Sequence, residues 1–181
     1  MATGILIMGP SGAGKTTLGQ LVARELDFAF VDIDDYIWRK DTPIPFSVMY
    51  PKEQKISRLT EAIAHCDRFV MSGSMNSFHE HFDPCFELVV YLWADPNLRV
   101  RRVHQRELEW FGDRITEGGD MYQTHRNMLD GIAGYDLGLG GSTLQQHQQW
   151  LSQLACPILR LNGGDSYETN LHHILETYHS L

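Results

Sequence analysis

No stretch of this sequence comes near the roughly 20 consecutive apolar residues that a membrane-crossing helix needs, so no membrane partner is expected. The start lacks a basic cluster followed by a long apolar segment, and a secretory leader is not expected either. Cysteine is scarce. Cys66, Cys85 and Cys156 stand far apart and in no metal-ligand spacing. An odd, scattered set suits reduced thiols in a cytoplasmic protein. Positive charge is also short: 15 Lys and Arg against 23 Asp and Glu leave a net charge of −8. A protein that coats nucleic acid needs a basic surface, so nucleic acid is not the expected partner. No internal repeat and no linker divides the chain. Its 181 residues fit one domain, 1–181, with a full core. A monomer or homodimer is the expectation.

What the sequence does have is concentrated at its start. Residues 9–16 read Gly9-Pro10-Ser11-Gly12-Ala13-Gly14-Lys15-Thr16, followed by Thr17. This is the G-x-x-x-x-G-K-[ST] phosphate-binding loop. An apolar run precedes it and a helical pattern with Leu18, Leu21, Val22 and Leu26 follows. Glycines let backbone N–H groups curl around phosphate oxygens, and a helix N-terminus adds positive dipole character. Lys15 is expected at the β- and γ-phosphates, and the Thr16 hydroxyl on Mg²⁺. ATP and Mg²⁺ are therefore the expected ligands.

Five apolar runs predict strands, at 5–8, 28–33, 69–71, 88–93 and 158–161. Helical patterns separate them at 16–26, 52–65, 96–110, near 121–132, 144–154 and 167–178. Such alternation predicts an α/β fold with a parallel sheet and right-handed crossovers. Ligands then sit at the carboxyl ends of the strands. Residues 131–142 are Gly-rich and predict a loop, and the Gln-rich stretch 145–149 predicts a solvated helix face. Pro43 and Pro45 predict a mobile or irregular excursion.

Phe30-Val31-Asp32-Ile33-Asp34-Asp35 ends the second predicted strand. Phosphoryl transfer needs one carboxylate for the metal and one for the attacking hydroxyl. On an extended chain Asp32 and Asp34 point to the same side. Asp32 is assigned to the metal shell with Thr16, and Asp34 to the acceptor hydroxyl as general base or orienting group. The same acids also suit turn and N-cap positions. Arg99, Arg102 and Arg106 share one helix face. Three like charges on a stripe repel, and an anionic ligand would explain them, with Arg106 at the nucleotide. Glu107 and Glu109 offer the plainer account of a salt-bridged surface. Phe111-Gly112-Asp113-Arg114 and then Gly118-Gly119 read as part of a lid over residues 107–126. Arg114 would neutralise the transferring phosphoryl as an arginine finger does. Arg126 lies on the far arm of this lid, assigned to the transferring group and the acceptor.

Between the second and third strands stand Trp38, Arg39, Phe46, Tyr50, Lys55 and Arg58. Arg58 flanks the apolar stripe of Ile56, Leu59 and Ile63, where it would hold an acidic group on the acceptor or simply face solvent. Ser72-Gly73-Ser74-Met75-Asn76-Ser77 is a small polar loop placed to line the acceptor pocket, with Gly73 and Ser74 as candidate contacts. His79, His81 and Asp83 follow and are expected at the surface or the pocket rim.

On these motifs the chain resembles the small P-loop kinase superfamily, with shikimate kinase, gluconate kinase and adenylate kinase as the likenesses. The resemblance runs from the first strand to the last helix. It implies a three-layer P-loop NTPase fold with a five-stranded parallel sheet of order 2-3-1-4-5. Phe30-x-Asp32-x-Asp34 is similar to the shikimate kinase pattern, whose first Asp serves Mg²⁺ and whose second binds the acceptor. Glu53-Gln54 followed by Arg58 resembles that family's acceptor helix, whose arginine holds a carboxylate, so residues 34–66 are implied as the acceptor region. Leu98, Arg102 and Arg106 resemble the adenylate kinase helix that leads into the lid. Asn162-Gly163-Gly164 sits where the superfamily holds the adenine ring. There are departures. Shikimate kinases carry a run of glycines where this chain has Ser72-Gly73-Ser74. Adenylate kinases carry an arginine-bearing loop there, and this chain has Met75 and Asn76. Asp34-Asp35-Tyr36 is also similar to the polynucleotide-kinase-like branch, where the first Asp is the base.

The expected activity is ATP-dependent transfer of the γ-phosphoryl to a hydroxyl of a small metabolite. A nucleoside or nucleoside monophosphate kinase is the second expectation, because aromatics in 38–50 could stack on a base. A non-catalytic nucleotide-binding switch is the third. It would need no acceptor carboxylate.

Overall fold

The computed structural model describes residues 2–181. Five strands form one parallel sheet: β1 (Thr3–Met8), β2 (Ala29–Asp32), β3 (Arg68–Ser72), β4 (Phe86–Trp93) and β5 (Ile158–Asn162), in the order β2-β3-β1-β4-β5. This is the expected order. β1 lies at the centre, where both faces are covered, and its residues Gly4 to Met8 are all buried. That is why the strand reads as a continuous apolar run.

Among the described residues, seven α-helices connect and cover the sheet: α1 (Lys15–Leu26), α2 (Asp34–Ile37), α3 (Lys52–Ile63), α4 (Pro96–Phe111), α5 (Tyr122–Gly134), α6 (Leu144–Leu151) and α7 (Tyr167–His179). Alternate strand residues feed two cores. Ile5, Ile7, Val70, Leu88 and Val90 pack with Leu18 and Val22 of α1 and Ile174 of α7. Leu6, Met8, Val31, Met71, Val89 and Tyr91 pack with Leu59 and Ile63 of α3 and Trp150 and Leu151 of α6. Helices thus lie on both sides of the sheet, giving the three layers. No helix among the described residues is long and apolar enough to cross a membrane.

Two local expectations change, and the irregular excursion expected around Pro43 and Pro45 gains a closure. The second strand stops at Asp32, and Asp34 opens the short α2, because two acids in a first turn favour a helix start over an extended chain. Residues 131–134 belong to α5, a 3₁₀ turn follows at Tyr135–Leu137, and the chain reverses at Gly138 with φ +80°. The excursion at 38–50 is closed on itself. Trp38 bridges Met49, Arg39 N–H donates to the Val48 carbonyl at 2.9 Å, and Tyr50 N–H donates to the Ile37 carbonyl at 2.9 Å.

Candidate active site

The phosphate-binding loop joins β1 to α1 at the carboxyl end of the sheet. Gly9, Gly12 and Gly14 hold φ of +143°, +81° and +104°, which favours glycine. A Cβ on Gly9 would stand 2.1 Å from the Leu92 carbonyl oxygen, and one on Gly12 2.6 Å from that of Arg99. The loop is therefore wedged against β4 and α4. α1 starts with Gly14 as N-cap, with no side-chain cap and no acid in its first turn. Its leading N–H groups and its dipole suit an anion. Ser11 and Thr17 are exposed and Ala13 is buried.

Lys15 bends over this loop, its Nζ donating to the Pro10 carbonyl at 2.9 Å. Burial pushes its ammonium down to about 8, against the pull of Asp34 and Asp32, while Arg106 and Arg99 lower it further. The Thr16 hydroxyl donates to Asp32 Oδ2 at 3.0 Å. Asp34 N–H donates to Asp32 Oδ1 at 3.1 Å, and the Trp38 indole N–H donates to Asp34 Oδ1 at 3.2 Å. The two acids meet through a turn, and so Asp32 and Asp34 do not lie along one strand as expected. Burial and the Asp34 charge raise the Asp32 carboxyl, while bonds from Thr16 and the Asp34 N–H lower it. Two crowded carboxylates and a hydroxyl beside a phosphate loop fit Mg²⁺, which is commonly held by one or two carboxylates together with substrate phosphates.

The three α4 arginines divide. Arg99 is fully buried, paired with Asp136, and lies over the Tyr135 ring at 5.0 Å. It is structural, and its place on the stripe gave no sign of that. Arg102 donates through Nη1 to the Gly163 carbonyl at 2.9 Å and to the Gly12 and Ala13 carbonyls at 3.4 Å. It ties the phosphate loop to the end of β5. Arg106 is half-exposed, stacks over Trp110 at 4.9 Å, and is one of the charges felt by Lys15. Arg114 points elsewhere. It forks onto Asp120 at 2.9 and 2.8 Å, and its Nη2 also donates to the Pro43 carbonyl at 3.0 Å. Arg126 is exposed on α5. Asn162 ends β5, where its side chain accepts from Gly164 N–H at 2.9 Å.

Among the residues expected to take the acceptor, Arg58 donates through Nε to the Tyr36 carbonyl at 3.1 Å and lies over the Tyr50 ring at 4.4 Å. Gly73 has φ +130°, and a Cβ there would meet Ile33 at 2.8 Å. The close approach brings the loop after β3 against the turn that carries Asp34. Ser74 faces α6: its Oγ is 2.9 Å from His147 Nε2 and donates to Asn76 Oδ1 at 2.9 Å. His79 is buried and not at the surface. It bonds Asp83 at 2.7 Å and stacks on Trp150 at 4.7 Å, whose indole also donates to Asp83 at 2.9 Å.

Sequence reasoning missed His147, Tyr135 and Asp136. His147 is fully buried, feels the charge of Lys15, and is pushed by burial down to about 4. Asp136 joins Arg99 to the indole of Trp93, which donates to it at 2.7 Å. A histidine at the inward position of a glutamine-rich helix was the one available signal.

With this geometry in place, comparison with known proteins identifies the class. The chain belongs to the family described as an AAA domain (AAA_18), which matches residues 5–114, more than half of its length, and it is a member of the P-loop small-molecule kinase superfamily. An uncharacterized protein, YqaC of Bacillus subtilis, is 26% identical over 177 residues, covering 97% of each chain. A shikimate kinase of Chlorobium phaeovibrioides is 29% identical over 134 residues, 68% of each. Among solved structures, shikimate kinase from Bacteroides thetaiotaomicron superposes with a TM-score of 0.59 at 20% identity, covering 98% of both chains. A sugar kinase from Janibacter sp. HTCC2649 gives 0.53 at 15% identity, covering 97% of this chain and 94% of the other. These two likenesses establish the fold.

Proposed function

We propose that this protein is an ATP-dependent phosphotransferase that moves the γ-phosphoryl of Mg·ATP to a hydroxyl of a small metabolite. The observation that carries it is the meeting of Lys15, Thr16, Asp32 and Asp34 at the carboxyl ends of β1 and β2. A nucleotide-binding switch needs the first two and has no use for Asp34. The kinship with a shikimate kinase and the fold shared with a sugar kinase support the same reading.

In this reading Gly9 and Ser11 to Thr17 cradle the phosphates through backbone N–H groups, and Lys15 draws charge from the transferring group. Thr16 and Asp32 hold Mg²⁺, which neutralises phosphate charge when bound. Asp34 orients the acceptor hydroxyl and takes its proton, with the Trp38 indole fixing the carboxylate. Residues 34–66 hold the acceptor and residues 107–126 form the lid. Arg114 acts as finger only after leaving Asp120. Arg106 faces the nucleotide, Asn162 borders the base, and Arg58, Gly73, Ser74 and Arg126 serve the acceptor.

The test is ADP release with Mg·ATP against shikimate, gluconate and other sugar acids, nucleosides, nucleoside monophosphates and a 5′-hydroxyl oligonucleotide. One acceptor is expected to stimulate release well above the background. Tight ATP binding with no stimulation by any of them would favour the switch instead.

A further inference from the structure

His147 sits at the middle of a largely buried chain of hydrogen bonds in which Ser74 alone has a part in the assignment above. Tyr91 and Tyr135 hydroxyls are 2.9 Å apart, Tyr135 is 2.7 Å from His147 Nδ1, and His147 Nε2 is 2.9 Å from Ser74 Oγ. Beyond Ser74 the chain passes to Asn76, whose amide donates to Ser142 at 3.2 Å. It spans β4, the turn after α5, α6 and the loop after β3.

The direction of every proton in it follows from its far end. Asn76 Oδ1 can only accept, so the Ser74 hydrogen is committed there. Ser74 must then accept from His147, which places the imidazole hydrogen on Nε2. His147 Nδ1 becomes an acceptor and takes the Tyr135 hydrogen, and Tyr135 in turn accepts from Tyr91. This ordering requires a neutral imidazole, and the burial of His147 beside Lys15 keeps it neutral. A serine oxygen has two lone pairs. One receives His147, and among the described residues no further donor reaches the second. Ser74 follows Gly73, which packs on Ile33 one residue before Asp34.

We propose that His147 is a positioning residue of the acceptor site, fixing the Ser74 hydroxyl so that its remaining lone pair accepts a hydrogen bond from a second hydroxyl of the acceptor. This rests on the kinase reading, and it narrows the acceptor to compounds with at least two hydroxyls. Ser74 binds one while Asp34 activates the other. It also gives the stretch 131–149 a role as the outer wall of that site.

Two measurements test it. Nitrogen NMR of the imidazole at neutral pH should show His147 uncharged with its hydrogen on Nε2. A hydrogen on Nδ1 would reverse the whole chain and overturn the proposal. Kinetics with whichever acceptor in the panel stimulates ADP release form the second measurement. His147→Leu should raise the acceptor KM by about 2–10-fold, the worth of one hydrogen bond, with the ATP KM unchanged. His147→Gln, which keeps an N–H donor and avoids an apolar group in the chain, should restore it to within about twofold. Ser74→Ala combined with His147→Leu should be no worse than Ser74→Ala alone. Additive effects, or an equal shift in the ATP KM, would make His147 merely structural. A wild-type protein that no acceptor stimulates fails the kinase reading itself, and the proposal falls with it.

Discussion

Lys15 carries its charge in a setting that works against it, and this gives a pH signature. Its value near 8 lies below the ordinary 10.5. Between those values the unfolded chain keeps the proton that the native state gives up. The cost of burying the charge is therefore present below pH 8 and fades as pH rises towards 10.5. A bound polyphosphate reverses the balance by favouring the ammonium. Mg·ATP binding at pH 8.5 should take up protons, with little uptake at pH 6.5, as read by calorimetry in two buffers of different ionisation enthalpy. Lys15→Met should abolish the uptake, and an unchanged uptake would place the proton elsewhere. Asp34→Asn keeps the Trp38 contact and removes the base. It should leave ATP affinity intact and lower transfer about 10²–10⁴-fold. Wild-type transfer in that variant would refute the assignment.

At the scale of elements, α6 shows how local chemistry and tertiary placement divide the work. Thr143 and Gln146 form a capping box at its start: Gln146 N–H donates to the Thr143 side chain at 3.2 Å, and Thr143 N–H to the Gln146 side chain at 3.0 Å. Thr143→Ala should cost about 1 kcal/mol and lower Tm by about 2–4 °C in a thermal melt. A neutral result would mean that packing of Trp150 and Leu151 alone holds the helix. The helix itself was legible from the pattern 144–154, as were all five strands: the three inner ones are covered on both faces and read as apolar runs, and the edge strands β2 and β5 keep enough apolar residues to do the same. The start of α2 was not, since Asp32-Ile33-Asp34 fits an extended chain and a turn equally well by spacing. Nor did the stripe of Arg99, Arg102 and Arg106 disclose that one arginine is buried, one grips carbonyls and one stacks over Trp110. For the first two the division is made by Asp136, Gly163 and the phosphate loop, which are distant in sequence.

Across the whole molecule, the stretch 131–149 is bound into the catalytic end of the sheet by Arg99 and Asp136. The guanidinium is fully buried, and its Nε and Nη1 have no hydrogen-bond partner among the described residues. Asp136→Ala would strand that charge and is expected to cost about 3–5 kcal/mol in urea unfolding. A loss below about 1 kcal/mol would mean that water or the Tyr135 ring compensates the cation. The four tryptophans are spread over the fold in a way that has its own use. Trp93 and Trp150 are anchored to Asp136 and Asp83. Trp38 donates to Asp34, proposed to take the acceptor, and Trp110 lies under Arg106, proposed to face the nucleotide. Of the four intrinsic fluorophores, two thus stand beside residues proposed for the site, one for each proposed half. With one of these two silenced by Phe, the change in emission of the other, over the constant background of Trp93 and Trp150, would follow the filling of a single half, so that the order in which the two substrates arrive could be timed without a label.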